Sequence, residues 1–174
     1  IMIIINKRNL FFLISVWLLS TLLSAQNVTI STPHTQLLLS VPNGGTPEQL
    51  YYGSRTSDAD IRSICETARR RNAYPVYGMG YPCETALSVR HADGNLTLQM
   101  AVIGVKETRL TKENATLTVI ELKDKVYPFF VNICYKAWQD ADVIETWTDI
   151  RHEEKKPVPL QQVASAYLPV RRGN

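Results

Sequence analysis

The residues with the clearest chemical character lie together between positions 73 and 82. This segment reads AYPVYGMGYP and contains three Tyr, two Pro and two Gly in ten residues. Regular helices and central strands do not tolerate that density of Pro and Gly, so the segment is predicted to be a stiff loop. Aromatic rings on a stiff loop suit stacking against sugar rings, which makes Tyr77 and Tyr81 candidate binding residues. The alternative is a well-packed connection between two sheets.

Metal and cofactor chemistry is not indicated by the sequence. The three histidines are scattered, and none lies at HxH or HExxH spacing: His34, His91 and His152. His91 falls in a predicted strand, where packing or hydrogen bonding is the expected role. The sequence contains no GxSxG elbow and no P-loop. We therefore expect no metal site and no bound cofactor.

Neighbouring carboxylates occur, for example, at Asp140 with Asp142 and at Glu153 with Glu154. Acid–base catalysis on a sugar requires two carboxyl groups on opposite sides of the scissile bond. Two acids in one loop do not meet that requirement, and the second pair runs directly into two lysines, which predicts a solvated turn. We therefore expect no catalytic residue in this chain.

The cysteine count is odd, with Cys65, Cys83 and Cys134 separated by 18 and 51 residues. These spacings match no zinc-binding pattern. We interpret all three as separate, packed thiols, because free Cys packs as a small apolar side chain; the alternative is one disulfide, which would leave one thiol.

The first 25 residues have the features of a cleaved export signal. Lys7 and Arg8 precede residues 10–23, of which 11 of 14 are apolar, and Ser24 and Ala25 supply small residues before a cleavage point. A run of 14 is short for a membrane span, which needs about 20 residues. We expect an exported protein with no stable membrane span after cleavage, and the alternative is an uncleaved anchor helix.

Overall charge argues against nucleic acid as a partner. The chain of 174 residues has 19 basic and 16 acidic residues, a formal net charge of +3, and 45% apolar residues. A nucleic-acid footprint needs a clustered basic face, which this balance does not support. The composition is that of an ordinary globular domain.

The elements that must position these residues are mostly strands. Alternating or apolar runs bounded by turn residues recur about every ten residues, at 27–31, 37–41, 50–53, 85–91, 96–106, 116–122, 129–138, 143–150 and 160–168. That spacing predicts an all-β antiparallel sandwich over residues 26–174. One helix is predicted near 58–71 from apolar residues at helical spacing. Arg69, Arg70 and Arg71 at its end are interpreted as a solvated last turn, with an anion site as the alternative.

Several short motifs, in order along the chain, resemble the N-terminal domain of glycoside hydrolase family 36, the microbial α-galactosidases. They are LYYG at 50–53, YPVYGMG at 74–80, ADG at 92–94, LKD at 122–124, DVIETW at 142–147 and HEEKKPV at 152–158. Each motif is short, and their order and spacing together make the resemblance specific. The family's commoner pattern has Asp-Phe-Arg-x-Pro after the second Gly, where this chain has YPCET at 81–85. Polar contacts from this loop to a sugar are therefore in doubt, and Tyr81 would substitute by stacking.

The resemblance implies an N-terminal β-supersandwich that precedes a (β/α)8 barrel, and the family's two catalytic aspartates lie in that barrel. A barrel needs about 250 residues, so this chain is expected to be a fragment that ends near the sandwich's last strands or at the start of a linker, and to be inactive alone. The implied partners are the barrel, an α-galactoside oligosaccharide and further copies of the full-length enzyme. Tyr77 and Tyr81 are expected to face the barrel's sugar pocket. The competing interpretation is a free-standing exported carbohydrate-binding β-sandwich.

Overall fold

A computed structural model describes residues 26–80, 82 and 84–169 of the chain. Ten strands, one α-helix and one 3-10 turn follow one another along this part. They are β1 (Gln26–Ser31), β2 (Thr35–Val41), β3 (Glu48–Ser54), α1 (Asp58–Thr67), β4 (Arg71–Asn72), β5 (Leu87–Val89), β6 (Met100–Leu110), the 3-10 turn Thr111–Glu113, β7 (Ala115–Asp124), β8 (Phe129–Trp138), β9 (Val143–His152) and β10 (Leu160–Val163). The predicted export signal at 1–25 lies outside the described residues.

The strands form two four-stranded antiparallel sheets and one antiparallel pair. Sheet I has the order β1-β2-β3-β4, sheet II has the order β6-β7-β8-β9, and β5 pairs with β10. Neighbours in both large sheets are also neighbours in sequence; short connections join them as hairpins, except for β3 and β4, between which residues 55–70 with α1 are inserted. The predicted all-β antiparallel fold is confirmed.

One hydrophobic core lies between the sheets. Alternate residues of β1 and β2, among them Ile30 and Leu39, belong to the same buried cluster as Ile120 on β7 and Val131 on β8. Side chains alternate between the two faces of a strand, so the period-two pattern in the sequence sends these residues inward. Burial of this apolar area is the main stabilising contribution to the sandwich.

The single helix begins where the sequence predicts and ends earlier. Ser57 caps α1, because its hydroxyl oxygen accepts a hydrogen bond from the Asp60 backbone N–H at 3.3 Å. Helical geometry stops at Thr67, four residues before the predicted end, and Ala68 is extended. Arg71 pairs with Gln49 of β3 as part of β4. Pairing with a strand distant in sequence therefore overrides the helical pattern.

The arginine run at 69–71 does not form one solvated turn. The Arg70 guanidinium donates to Ser40 at 2.8 Å and to Glu48 at 3.2 Å, while Arg71 lies in β4. The carboxylate that Arg70 binds belongs to the chain itself. The run thus ties the segment after α1 to the outer side of sheet I.

Segment 55–70 covers the outer side of β2. The backbone and hydroxyl of Thr56 both donate to Gln36 Oε1, at 3.2 and 2.7 Å, and Leu38 is fully buried although it lies outside the main core cluster. Neither Cys65, which is half-buried, nor Cys134, which is buried, is in a disulfide, and Cys83 lies outside the described residues. Among the described residues, no helix has the length and apolar character needed to cross a bilayer.

Candidate functional site

The aromatic loop, residues 73–85 between β4 and β5, is anchored at its start. Asn72 Oδ1 accepts a hydrogen bond from the Tyr74 backbone N–H at 2.8 Å, and Ala73 donates to the Pro47 carbonyl at 2.8 Å. The Tyr74 side chain is buried, and its hydroxyl donates to the Ala164 carbonyl at 3.1 Å. Burial raises the pKa of Tyr74 above its ordinary value of 10.0. Tyr74 is therefore a structural residue of the loop.

The main chain of Tyr77 is held from both sides. Its N–H donates to the Leu87 carbonyl, and its carbonyl accepts from the Leu98 N–H, both at 3.0 Å. Val76 forms an isolated parallel bridge with Leu87. The Tyr77 side chain is nevertheless 47% exposed. A fixed backbone with an exposed ring lowers the ordering cost of stacking on a ligand.

Glycine is required directly after this tyrosine. Gly78 has φ = +96°, and a Cβ built there would lie 2.5 Å from Thr97 Cγ2 and 2.9 Å from its Cα. Gly80 also has positive φ, at +74°, but open space surrounds the position of its missing Cβ. Gly78 therefore lets the loop pack tightly on Thr97, whereas Gly80 only permits a turn.

The loop closes beside its own start. The Ala86 N–H donates to the Pro75 carbonyl at 2.7 Å, and the Thr85 hydroxyl donates to Gln162 on β10 at 3.2 Å. Tyr81, the second predicted binding residue, lies outside the described residues. Of the two predicted binding tyrosines, the exposure of Tyr77 alone is therefore known.

Thr97, which packs against Gly78, follows the tight hairpin turn of the ADG motif. In that turn Asp93 accepts hydrogen bonds from the Asn95 backbone N–H at 2.9 Å and from the Tyr127 hydroxyl at 2.7 Å. These bonds, that of the Asn95 N–H first, lower the pKa of Asp93 below its ordinary value of 3.8. The same contact with Asp93 raises the pKa of Tyr127.

A buried His–Glu pair lies under this turn. His91 Nδ1 is 2.7 Å from Glu154 Oε1, and Glu154 Oε2 accepts from the Ala92 N–H at 2.8 Å. The His91 ring is stacked on Tyr127 at a centroid distance of 3.7 Å. Both side chains of the pair are almost completely buried. We name His91, Glu154 and Tyr127 the histidine cluster.

The prediction that Glu153 and Glu154 form a solvated turn is wrong for Glu154. Glu153 is exposed and paired with Arg151, whereas Glu154 turns inward to His91. Local sequence does not distinguish two adjacent glutamates beside two lysines. The one sequence feature that could have indicated a role for Glu154 is its position in the motif HEEKKPV.

The other acids predicted to be non-catalytic stabilise turns. Asp142 accepts from the Thr32 hydroxyl at 2.5 Å and from the His34 backbone N–H at 3.0 Å, while Asp140 accepts from Asn114 at 2.6 Å. These bonds, that of the Thr32 hydroxyl first, lower the pKa of Asp142. In the part of the chain that the structure describes, no group of three His, Cys, Asp or Glu side chains could hold a metal ion.

Comparison with known proteins assigns the family. The sequence profile of the glycosyl hydrolase family 36 N-terminal domain matches residues 45–174, which is most of the chain. The chain belongs to this family. A search among curated protein sequences finds no significant match. The matched region contains the motifs LYYG, YPVYGMG, ADG and HEEKKPV, which therefore belong to the family 36 domain.

Solved α-galactosidases share the fold of this family 36 domain. The α-galactosidase from Lactobacillus brevis aligns with a TM-score of 0.69 and 16% identity, over 82% of this chain and 23% of that chain. The family 36 α-galactosidase from Geobacillus stearothermophilus, a variant complexed with 1-deoxygalactonojirimycin, aligns with a TM-score of 0.73 and 14% identity, over 81% and 24%. The galactosidase domain of an α-galactosidase–sucrose kinase aligns with a TM-score of 0.67 and 21% identity, over 79% and 24%. The chain therefore spans about a quarter of each relative.

Proposed function

We propose that this chain is the non-catalytic N-terminal domain of an exported, retaining α-galactosidase that removes terminal α-galactosides from oligosaccharides. The observation that carries the proposal is the family match over residues 45–174. The shared fold with solved α-galactosidases supports it. In the whole enzyme the domain packs with the catalytic barrel and supports the active site and the assembly of subunits.

The aromatic loop is the part of the domain proposed to approach the sugar. Its two ends are fixed by backbone hydrogen bonds to Leu87, Leu98 and Ala86, and Tyr77 is exposed on it. A ring presented in this way contributes by stacking and shape. Tyr81 is proposed to act beside Tyr77.

The first test is an activity assay on the purified full chain with an aryl α-galactoside. We expect no hydrolysis, because the catalytic aspartates of the family are expected in the barrel, and of the adjacent acids Asp142 stabilises a turn and Glu154 the histidine cluster. Turnover that survives purification and disappears on replacement of one of these acids would contradict the proposal. Sequencing the gene beyond the codon for Asn174 is the companion test, and an open frame that encodes a barrel is expected.

The second test concerns export. We expect the secreted or periplasmic product to begin at Gln26 on N-terminal sequencing, since residues 1–25 have the pattern of a cleaved signal. Product that remains in the membrane fraction with an intact N-terminus would show an anchor instead.

The third test replaces the loop tyrosines in the full-length enzyme. Tyr77→Ala and Tyr81→Ala are each expected to lower kcat/KM about three- to tenfold, the equivalent of one aromatic stacking contact. Tyr52→Ala is the matched control, because Tyr52 on β3 is 45% exposed but lies off the loop. An unchanged kcat/KM in both loop variants would show that the loop does not contact the substrate.

A further inference from the structure

The outward face of sheet II carries a row of polar side chains across three strands. In the observed register, Glu121 on β7 pairs with Asn132 on β8, which pairs with Asp149 on β9. Residues paired in register point to the same side of a sheet, and neighbouring strands lie about 4.8 Å apart. We name Glu121, Asn132 and Asp149 the polar row.

A groove of about 350 Å³ follows this row. One wall is Phe130, with the Arg151 guanidinium over its ring at 4.0 Å. Arg151 is also bonded to Glu153, so its position is fixed from two sides. Beyond the row, Trp147 pairs with Cys134 and places an indole ring on the same face.

Much of the hydrogen-bonding capacity in the groove is unused. Within the described residues, the Asn132 carboxamide makes no hydrogen bond, and the only polar contact of Asp149 is the weak one from the Cys134 thiol at 3.7 Å. Glu121 binds Lys106 at 2.5 Å through one oxygen. The groove therefore offers a carboxamide that both donates and accepts, carboxylates that accept and a guanidinium that donates.

We propose that this groove is a second binding site, for a neutral oligosaccharide, and that it shares no lining residue with the aromatic loop. Protein interfaces are depleted of charge at their centre, whereas the centre of this groove is polar. A polyhydroxylated ligand supplies donors and acceptors together, so it satisfies the row without burying an unpaired charge. The Phe130 ring is covered by the Arg151 guanidinium, so the aromatic surface offered to a sugar ring is that of Trp147, on the same face beside the groove.

Isothermal titration of the full chain with raffinose tests this site. We expect saturable binding with a Kd of about 1 mM or lower. Asn132→Ala combined with Asp149→Ala should weaken it at least about tenfold, because two ligand-facing groups are lost, and Asp149→Asn alone should have a smaller effect. Asn43→Ala, in an exposed turn, is the matched control and should bind as the unmodified chain does.

The outcomes separate this proposal from that for the loop. Binding that is lost in the polar-row variant and kept in Tyr77→Ala supports the groove. Binding that is lost in Tyr77→Ala but kept in the polar-row variant overturns it and leaves the loop as the sugar site. Absence of saturable binding, or self-association that the polar-row variant abolishes without any sugar binding, also overturns it.

Discussion

The aromatic loop and the histidine cluster are linked through Thr97, which packs on Gly78, and Asn95, which bonds both Thr97 and Tyr127, but they use their rings in opposite ways. In the cluster, His91 is 2% exposed, stacked on Tyr127 and bonded to Glu154. In the loop, the backbone of Tyr77 is fixed while its side chain is 47% exposed. The rings of the cluster therefore contribute to the stability of the fold, whereas the Tyr77 ring of the loop is exposed and can contact a ligand.

The largest expected effect comes from removing the cluster's carboxylate. Glu154→Ala leaves His91 Nδ1 and the Ala92 N–H buried without an acceptor, which should lower the free energy of unfolding by about 3–5 kcal/mol. Glu153→Ala is the matched control, because Glu153 is exposed and its pair with Arg151 contributes at most about 1 kcal/mol. Urea denaturation of the full chain measures both. Equal losses would show that the cluster is not the stabilising region.

The next effect tests how tightly the loop packs on the hairpin. Gly78→Ala combines positive φ with a clash against the Thr97 Cα and Cγ2, whereas Gly80→Ala has positive φ in open space. The strained backbone alone costs about 1–2 kcal/mol, and the clash should add about 1–3 kcal/mol at Gly78. Denaturation midpoints compare the two variants. A Gly80→Ala loss as large as that of Gly78→Ala would show that contact with Thr97 does not position the loop.

A pH-dependent effect is expected at the hairpin turn. The Asn95 N–H and the Tyr127 hydroxyl hold the pKa of Asp93 below 3.8 in the folded chain. Since the folded pKa is the lower one, the Asp93 carboxylate stabilises the fold above pH 3.8, and this contribution is lost as the pH falls through the folded pKa. Unfolding measured from about pH 5 to pH 2.5 should therefore show a smaller loss of stability in Asp93→Asn than in the unmodified chain. Parallel profiles would contradict this role.

The smallest stability effect is expected at the exposed ring. Tyr77→Ala should lower the free energy of unfolding by about 1 kcal/mol, because about half of its surface is already exposed. Tyr74→Ala provides the contrast, since it deletes a buried ring in the same loop and should cost about 3–5 kcal/mol. Thermal unfolding of the two variants gives the comparison. A loss of unfolding free energy in Tyr77→Ala as large as that in Tyr74→Ala would show that the Tyr77 ring also stabilises the fold.

The sequence predicts more of the fold than of the site. Alternation in β7 and β8, and the turn residues of the ADG motif, predict strands and a hairpin from local rules. The structure confirms β7 and β8, their antiparallel pairing and a tight turn at the ADG motif. The predicted hairpin between 85–91 and 96–106 is wrong, because β5 pairs with β10 and β6 pairs with β7. The predicted start of α1 is also confirmed, although its cap is Ser57 and not Asp58 or Asp60, as the acids near its start suggested. Each of the confirmed features is decided by neighbours in the chain.

Features that depend on contacts between residues far apart in the sequence could not be predicted from it. Glu154 is buried because His91, 63 residues earlier, occupies the space beside it. The helix ends at Thr67 because Arg71 and Asn72 pair with β3. The polar row exists because the register of three strands aligns residues 121, 132 and 149.

What the sequence by itself determined is therefore the all-β class, the positions of most strands and of the helix start and, through its motifs, the family. The tertiary structure decided which side chains are buried: Tyr74 inward and Tyr77 outward on one loop, Glu154 inward and Glu153 outward at one turn. The physical reason is that local propensity depends on a few adjacent residues, whereas burial and pairing depend on whatever the fold brings to the other side of the contact.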